Sequence, residues 1–293
     1  MVESPLFSLI KITGSDAGTF LQGQLTQDIR ALGETPSLPA AWCNPKGRVI
    51  AVMRAVKADG ATGLVVPDSL AESIVQRLEL FRLRAKVETG MAGGEWSAVA
   101  VAAADDLAAL AALDLLPEAA RNSARTAQGI VTVDIGASPR CIEVYGPASA
   151  LERRGLVFQN PLSAEQWQLS LINGGIPLIL AATSEKYTPH MLNLDYLGAI
   201  SFSKGCYTGQ EVVARTEHLG RSKRRLMHFR TDGPAVAVGD KLRHEEREVG
   251  EVVSSIGNDL LAVVPVELHE QTLSIAGARA APVALPYSVP VSD

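Results

Sequence analysis

Ser203-Lys204-Gly205-Cys206-Tyr207-Thr208-Gly209-Gln210-Glu211-Val212-Val213-Ala214-Arg215 sets a glycine-flanked cysteine just ahead of a helix start. Thr208 and Glu211 have capping-box spacing: the hydroxyl can accept from the amide of residue 211, and the carboxylate can reach back to the amide of residue 208. That spacing predicts a helix opening here, with Cys206 near the positive end of its dipole. Lys204 adds a cation two residues away. Both effects favour ionisation of the sulfur, which makes Cys206 a candidate reactive or metal-binding thiol. Gly205 and Gly209 allow close approach by a backbone or a ligand. The plainer reading is a tight turn carrying a small, inert cysteine.

Outside this stretch, residues 9–12 read as a short strand, Gly14-Ser15-Asp16 as a turn whose Ser15 or Asp16 caps a helix, and Ala17, Phe20, Leu21, Leu25 and Ile29 as the buried stripe of that helix. Asn44-Pro45-Lys46-Gly47 has type I turn chemistry. It predicts a hairpin of residues 38–43 and 48–56 with Cys43, Lys46 and Arg48 at the tip. Further on, Cys141-Ile142-Glu143-Val144-Tyr145-Gly146-Pro147-Ala148 repeats the opening phrase of strand, glycine turn and helix. A repeated βα unit suggests two similar α+β halves. Ser163-Ala164-Glu165-Gln166 is a second capping box, opening a helix with Trp167 and Leu171 inward. Trp167 is either a core anchor or a platform for a planar ligand. Beyond Arg225, short strand-like runs separated by Asp232-Gly233-Pro234, Gly239-Asp240 and Gly257-Asn258 predict a small β-barrel or sandwich, with a domain boundary at residues 220–223.

The chain has 293 residues, 47% of them hydrophobic and 20% charged, which is ordinary globular composition. Its net charge of −5 argues against a broad nucleic-acid-binding face. One basic run, Arg221-Ser222-Lys223-Arg224-Arg225, is either a solvated linker or a local anion or partner patch. No apolar run is long enough for a membrane span, and residues 1–13 lack the features of a secretory signal, so a cytoplasmic location is expected. Cys43, Cys141 and Cys206 are too few and too scattered for a disulfide framework or for a metal centre held by this chain alone. Cys141 reads as core.

Lys204-Gly205-Cys206-Tyr207-Thr208-Gly209-Gln210-Glu211 resembles the signature of the YgfZ family of folate-binding proteins, whose relatives include a mitochondrial factor for late iron–sulfur maturation. The helix motif Phe20-Leu21-Gln22-Gly23-Gln24-Leu25-Thr26-Gln27-Asp28, the hairpin Trp42-Cys43-Asn44-Pro45-Lys46-Gly47-Arg48, Asn193-Leu194-Asp195 and Leu285-Pro286-Tyr287-Ser288 are similar too. The family shares its architecture with the T-protein of the glycine cleavage system. The resemblance therefore implies an α+β fold: two interleaved ferredoxin-like domains forming a folate-binding core over residues 1–222, with 1–50 and 139–222 in one half and 51–138 in the other. A small β-barrel would follow over residues 223–293. It implies tetrahydrofolate or a derivative as cofactor and no permanently bound metal. Phe7, Trp167, Gly205, Tyr207, Gly209, Gln210, Glu211 and Arg215 are the implied cofactor-binding residues. Cys206 and Lys204 are the implied reactive pair, with Cys206 a transient metal ligand completed by a partner's ligands. Phe7 stands where relatives have a tryptophan.

The function so implied is a tetrahydrofolate-binding protein that supports assembly or repair of iron–sulfur clusters in client enzymes, with indirect effects on tRNA modification. Its partners would be iron–sulfur assembly proteins and client enzymes, with no direct nucleic-acid contact and no membrane. The alternative is a folate-dependent aminomethyltransferase or demethylase of the T-protein type. Against it, the acidic pair that the T-protein carries after its Asn-x-x-Gly turn is replaced here by Ala51 and Val52, and chemistry on folate amines needs a nearby carboxylate. A third possibility is a binding module in which the cysteine is inert.

Overall fold

The opening strand of the first sheet, β1 (Phe7–Thr13), alternates residues that turn inward with residues that do not, and Ile10 and Ile12 are fully buried. The computed structural model describes residues 6–58, 60–219 and 222–289, so Arg221 of the basic run lies outside the described residues. β2 (Ser37–Cys43), β3 (Val49–Ala58), β4 (Ala61–Pro67) and β5 (Glu88–Met91) join β1 in an antiparallel sheet ordered β2-β3-β4-β1-β5. The helices α1 (Ala17–Gln24) and α2 (Asp68–Arg82) pack on it, with Leu21, Leu70, Ile74 and Leu78 in its core.

A second antiparallel sheet, ordered β6-β9-β8-β7, is built from β6 (Trp96–Val101), β7 (Ala124–Ala127), β8 (Ile130–Asp134) and β9 (Ile142–Pro147). Its helices α3 (Ala104–Ala112) and α4 (Ala148–Arg153) bury Leu110 and Leu151 against Val101, Ile142 and Val144. The two sheets meet through Val56 and Val65 on one side and Val131, Val133 and Tyr145 on the other. The repeated strand-then-helix phrase is present in both places, but its copies, β1–α1 and β9–α4, lie in different sheets, and Gly146 falls inside β9 rather than in a turn. α5 (Ala164–Asn173) then brings Trp167 and Leu171 onto the second sheet. From there the chain returns: Ile172, Ile179, Leu192, Leu194, Leu197 and Val213 lie in the same core as Ile10, Leu21 and Trp42. That return interleaves the halves. It ends in α6 (Gln210–Leu219).

The division of the core at residues 50/51 is corrected by this topology. β2 and β3 pair along their length from Ser37–Val56 to Cys43–Val49, so the boundary would cut a hairpin within one sheet. The chain beyond residue 223 forms a closed barrel, β10-β13-β12-β11-β14-β15, from β10 (Arg224–Thr231), β11 (Lys241–His244), β12 (Arg247–Ile256), β13 (Asp259–Pro265), β14 (Leu273–Ile275) and β15 (Ala278–Val283). The last strand, alanine-rich and poor in β-formers, carries no strand signal of its own. It closes the barrel by pairing with β14 and β10.

Local chemistry accounts for other details. The Ser163 capping box forms in full: Ser163 Oγ accepts from the Gln166 amide at 3.2 Å, and Gln166 Oε1 accepts from the Ser163 amide at 2.9 Å. Asp16 does not cap α1; its carboxylate accepts from the Lys86 amide at 2.8 Å instead. α1 also stops at Gln24, so Leu25 and Ile29 reach the core from extended chain and from a separate turn over Ile29–Gly33. Because both bonds of the α5 box are present, Ser163→Ala is expected to destabilise the protein by about 1 kcal/mol, read as a lower urea midpoint at unchanged slope.

Candidate functional site

The signature stretch folds as a loop clamped between α1 and the β2–β3 hairpin. Gly209, at φ +83°, stands just before α6 with the hairpin tip pressed on it: a Cβ there would stand 2.5 Å from the Asn44 carbonyl oxygen and 3.1 Å from Cys43 Cβ. Gly47, at φ +67°, is held as tightly by Val212. The close approach expected at Gly209 is therefore made by the hairpin. Gly205 differs, since no atom lies within 4 Å of where its Cβ would be, and it faces open space. The expected Thr208–Glu211 box is replaced by a frame shifted by one residue. The Tyr207 amide donates to Gln210 Oε1 at 3.3 Å, and the Thr208 amide donates to the Gly23 carbonyl at 3.2 Å. Helix α6 accordingly starts at Gln210, and Glu211 and Arg215 are exposed.

Lys204 corrects the expectation of a cation serving the cysteine. Its side chain is buried, and Nζ donates to the carbonyls of Gln22 at 2.7 Å, Leu25 at 2.7 Å and Gln27 at 2.9 Å. An ammonium has three protons, and all are committed to the end of α1. Burial lowers the Lys204 pKa to about 8. The Nζ also lies 5.0 Å from the centroid of the Tyr207 ring, within cation–π range. Tyr207 is buried, and burial pushes its phenol up, so it stays protonated. Cys206 itself is exposed. Cys43 is fully buried and adjoins Gly209, and burial pushes its thiol up to about 12. Cys141 is core, as expected.

The hairpin is fixed in turn by Asn44. Its Oδ1 accepts from the amides of Lys46 at 2.9 Å and Arg48 at 3.0 Å, and its Nδ2 donates to Glu185 Oε2 at 2.6 Å. Arg77 of α2 holds the other Glu185 oxygen at 2.6 Å, and these two partners lower the Glu185 pKa.

Phe7 and Trp167 come together elsewhere, between the two sheets, with ring centroids 4.9 Å apart at 51°. Trp167 is 1% exposed, a core anchor whose indole N–H donates to Glu143 Oε1 at 2.8 Å. Phe7 is only partly buried. Glu143 is the residue that sequence reasoning missed. It is buried in β9, accepts from the Tyr145 hydroxyl and lies 3.5 Å from Arg54 Nε. Burial and that carboxylate push the Tyr145 phenol well up, so it remains a donor. The available signal was a charge inside an otherwise apolar strand, since a buried carboxylate persists only when paired. The expected site residues thus form two groups, one at the Cys206 loop and one around Phe7 and Trp167. Among the described residues no hydrogen bond joins them directly.

A third cluster ties the core to the barrel. Arg225 Nη1 donates to both Asp195 oxygens, at 2.7 and 2.8 Å, and to the His190 carbonyl at 2.8 Å, while His190 Nε2 lies 3.1 Å from Glu217. The ligand atoms of His190, Asp195 and Glu217 lie within 4.8 Å of one another. With the guanidinium on both carboxylate oxygens, the cluster is an ion-pair network. Among the described residues, no helix is long and apolar enough to cross a membrane.

Comparison with known proteins agrees with this geometry. Residues 223–290 match the family model for the CAF17 C-terminal beta-barrel domain. The chain is 32% identical over 270 residues to the tRNA-modifying protein YgfZ of Enterobacter sp. (strain 638), covering 88% of this chain and 79% of that one. It is 30% identical over 226 residues to the protein of the same name from Colwellia psychrerythraea, covering 77% and 70%. Among solved structures, the glycine cleavage system aminomethyltransferase T from Bartonella henselae superposes with a TM-score of 0.72 at 20% identity, covering 96% of this chain and 83% of that one, which shows a shared fold.

Lys204→Met would leave three carbonyls without their donor. Each unmet buried acceptor costs about 1–3 kcal/mol, so a loss of at least about 2 kcal/mol is expected in chemical denaturation. Faster amide exchange in residues 205–208 should accompany it. An unchanged midpoint would remove Lys204 as the anchor of the loop.

Proposed function

The chain belongs to the YgfZ family, and from that premise we propose that it binds tetrahydrofolate in its core and supports assembly or repair of iron–sulfur clusters in client enzymes. The observation that carries the reading is the separation of roles between its two groups of residues. Cys206 is exposed on a loop whose backbone is fixed from below by Lys204 and from the side by the hairpin. A lone thiolate displayed this way can replace one ligand of an iron held by one protein and be replaced in turn by a ligand of the next, with no change of oxidation state. Soft sulfur suits iron, and a single ligand holds a cluster only while a partner completes the shell. Any effect on tRNA modification would then run through client enzymes, in keeping with the name tRNA-modifying protein carried by the relatives.

Folate binding is supported by chemistry that fits a pterin. Its flat ring needs an aromatic face and an acceptor for its amino and ring N–H groups. Phe7 supplies a partly buried ring beside Trp167. Glu143 supplies a buried carboxylate whose Oε1 holds one donor, Trp167 Nε1, and has a second lone pair. Tyr145 and Arg54 hold Oε2 and orient the group. In this arrangement Trp167 acts by positioning Glu143 and backing Phe7. When bound, the folate would supply a reduced pterin. The transferase alternative lacks a specific observation in its favour, since Ala51 is fully buried and brings no carboxylate to the strand after the hairpin.

Two measurements test the reading. Cys206→Ser is expected to leave the melting temperature unchanged, since the side chain is exposed, yet to abolish iron–sulfur enzyme activity in cells lacking the native protein. Full complementation by the variant would remove the sulfur from the function. In calorimetry, tetrahydrofolate is expected to bind at about micromolar Kd, near −8 kcal/mol. Trp167→Phe keeps the bulk but loses the N–H that fixes Glu143, and should weaken binding about tenfold, or ~1.4 kcal/mol. Equal affinity would separate Trp167 from the ligand.

A further inference from the structure

The groups around Trp167 and Cys206 are not bonded directly, yet a continuous run of polar contacts joins them. It leaves Glu143 at Arg54, whose side chain is 11% exposed. Arg54 Nε stands 3.5 Å from Glu143 Oε2, and Nη1 donates to Ser37 Oγ at 3.3 Å. Nη1 and Nη2 also donate to Asn122 Oδ1, at 3.4 and 3.3 Å. The other arm of Asn122 reaches the opposite way, and its Nδ2 donates to the Leu197 carbonyl at 3.0 Å. Asn122 stands at φ +62°, a left-handed conformation in which asparagine is enriched. Its amide donates to the Asp134 carbonyl of β8 at 2.8 Å. Backbone and side chain together therefore fix Asn122 between the second sheet and the returning chain.

From Leu197 the route to the sulfur is short. The next two carbonyls are held by the chain after α1: Gly198 accepts from Gln27 Nε2 at 2.6 Å, and Ala199 accepts from Thr26 Oγ1 at 2.7 Å. The Ser201 amide donates to the carbonyl of Thr26 at 3.0 Å, and Thr26 is fully buried. On either side of Thr26, the carbonyls of Leu25 and Gln27 are two of the three that receive Lys204 Nζ, at 2.7 and 2.9 Å. Cys206 lies two residues beyond Lys204. Segment 197–204 is thus pinned at Asn122 on one end and at Lys204 on the other.

We propose that Asn122 is a positioning residue that couples the folate site to the Cys206 loop, so that a bound pterin tightens the mount of the sulfur. The inference rests on the reading of Glu143 as the pterin's acceptor. The movable link is Arg54. The bonds from Asn122 onward are 2.6–3.0 Å long, whereas the contacts of Arg54 are 3.3–3.5 Å. A charged donor ordinarily closes to about 2.7–2.9 Å. A guanidinium shared between Glu143 on one side and Asn122 and Ser37 on the other, short to neither, has two nearby positions. Without ligand, Glu143 draws on Arg54 as well as on Trp167 and Tyr145. A pterin N–H on Oε1 adds a donor, weakens the pull of the carboxylate on Arg54, and lets Arg54 close on Asn122 and Ser37. That difference in contacts between the two states is what linkage between two sites requires. The coupling is reciprocal: a molecule with its Cys206 loop open binds the pterin more weakly by the same factor.

The test is amide hydrogen exchange on the full-length chain, with and without saturating tetrahydrofolate in the absence of oxygen. In the native protein the ligand is expected to slow exchange about fivefold over residues 199–208, the low end of coupling between linked sites. Asn122→Gly keeps the left-handed backbone and removes both arms. Asn122→Asp keeps an acceptor for Arg54 and loses the donor to Leu197, and it serves on its own if the glycine variant does not fold. In either variant tetrahydrofolate should bind within about threefold of the native Kd and still slow exchange at residues 142–145, while its effect on residues 199–208 disappears. A role confined to packing would raise exchange at residues 199–208 in the variants and leave the ligand's slowing intact. That result overturns the coupling, and so does a native protein that binds tetrahydrofolate without slowing residues 199–208; in both cases folate binding itself stands. A native protein that binds no tetrahydrofolate sinks the folate reading and the coupling with it.

Discussion

The buried ammonium of Lys204 is the constraint on which the signature loop depends. The last carbonyls of a helix have no partner within the helix, and α1 ends early, at Gln24. Lys204 reaches across from residue 204 to meet the carbonyls of Gln22, Leu25 and Gln27. Taking a lysine charge out of water costs several kcal/mol, and that cost is offset only if every proton finds an acceptor. The geometry meets this condition, and Tyr207 covers the site with its ring. Once Lys204 is fixed, the neighbouring Cys206 has no inward route and is set on the surface.

The hairpin adds a second fixed side. Gly209 and Gly47 each stand where a Cβ would collide with the opposing element, so the two backbones meet at a distance only glycine permits. Asn44 shapes the turn with its side-chain oxygen, which accepts from the Lys46 and Arg48 amides, and passes the restraint through its Nδ2 to Glu185 and Arg77. Helix α2 and the hairpin are thereby coupled through short polar contacts, and the cysteine loop meets the hairpin by close backbone packing. A rigid mount of this kind suits a sulfur that must meet a partner in one orientation, because less conformational entropy is lost on binding.

The interior follows a different rule. Glu143 is a carboxylate in an apolar strand, tolerated because Trp167, Tyr145 and Arg54 surround it. Removing any one partner would leave part of that charge unmet, which makes the network demanding of its residues. The barrel is attached by comparable means. Asn193, in a left-handed conformation at φ +56°, donates to the Leu226 carbonyl at 2.8 Å. Tyr287 donates to the Gly175 carbonyl at 2.8 Å. The two ends of the molecule are therefore linked by buried hydrogen bonds as well as by apolar packing.

Much of this was written in local sequence. The Ser163 box, the Asn44 turn, the glycine at residue 209 and most of the barrel strands follow from short-range chemistry, because caps, turns and alternation are decided within a few residues. The motif strings identified the family and, through it, the two-sheet core and barrel. Tertiary structure alone decided the rest. Lys204 turned out to serve the end of α1, 180 or so residues back in the chain, and the Thr208 box gave way to Gln210 once the Thr208 amide found Gly23. β15 formed only because two barrel edges needed a partner. Trp167 proved to be an anchor because Glu143 was waiting for its N–H. In each case a buried polar group had to be met by whatever the fold brought near, and a sequence does not state which distant residue that will be.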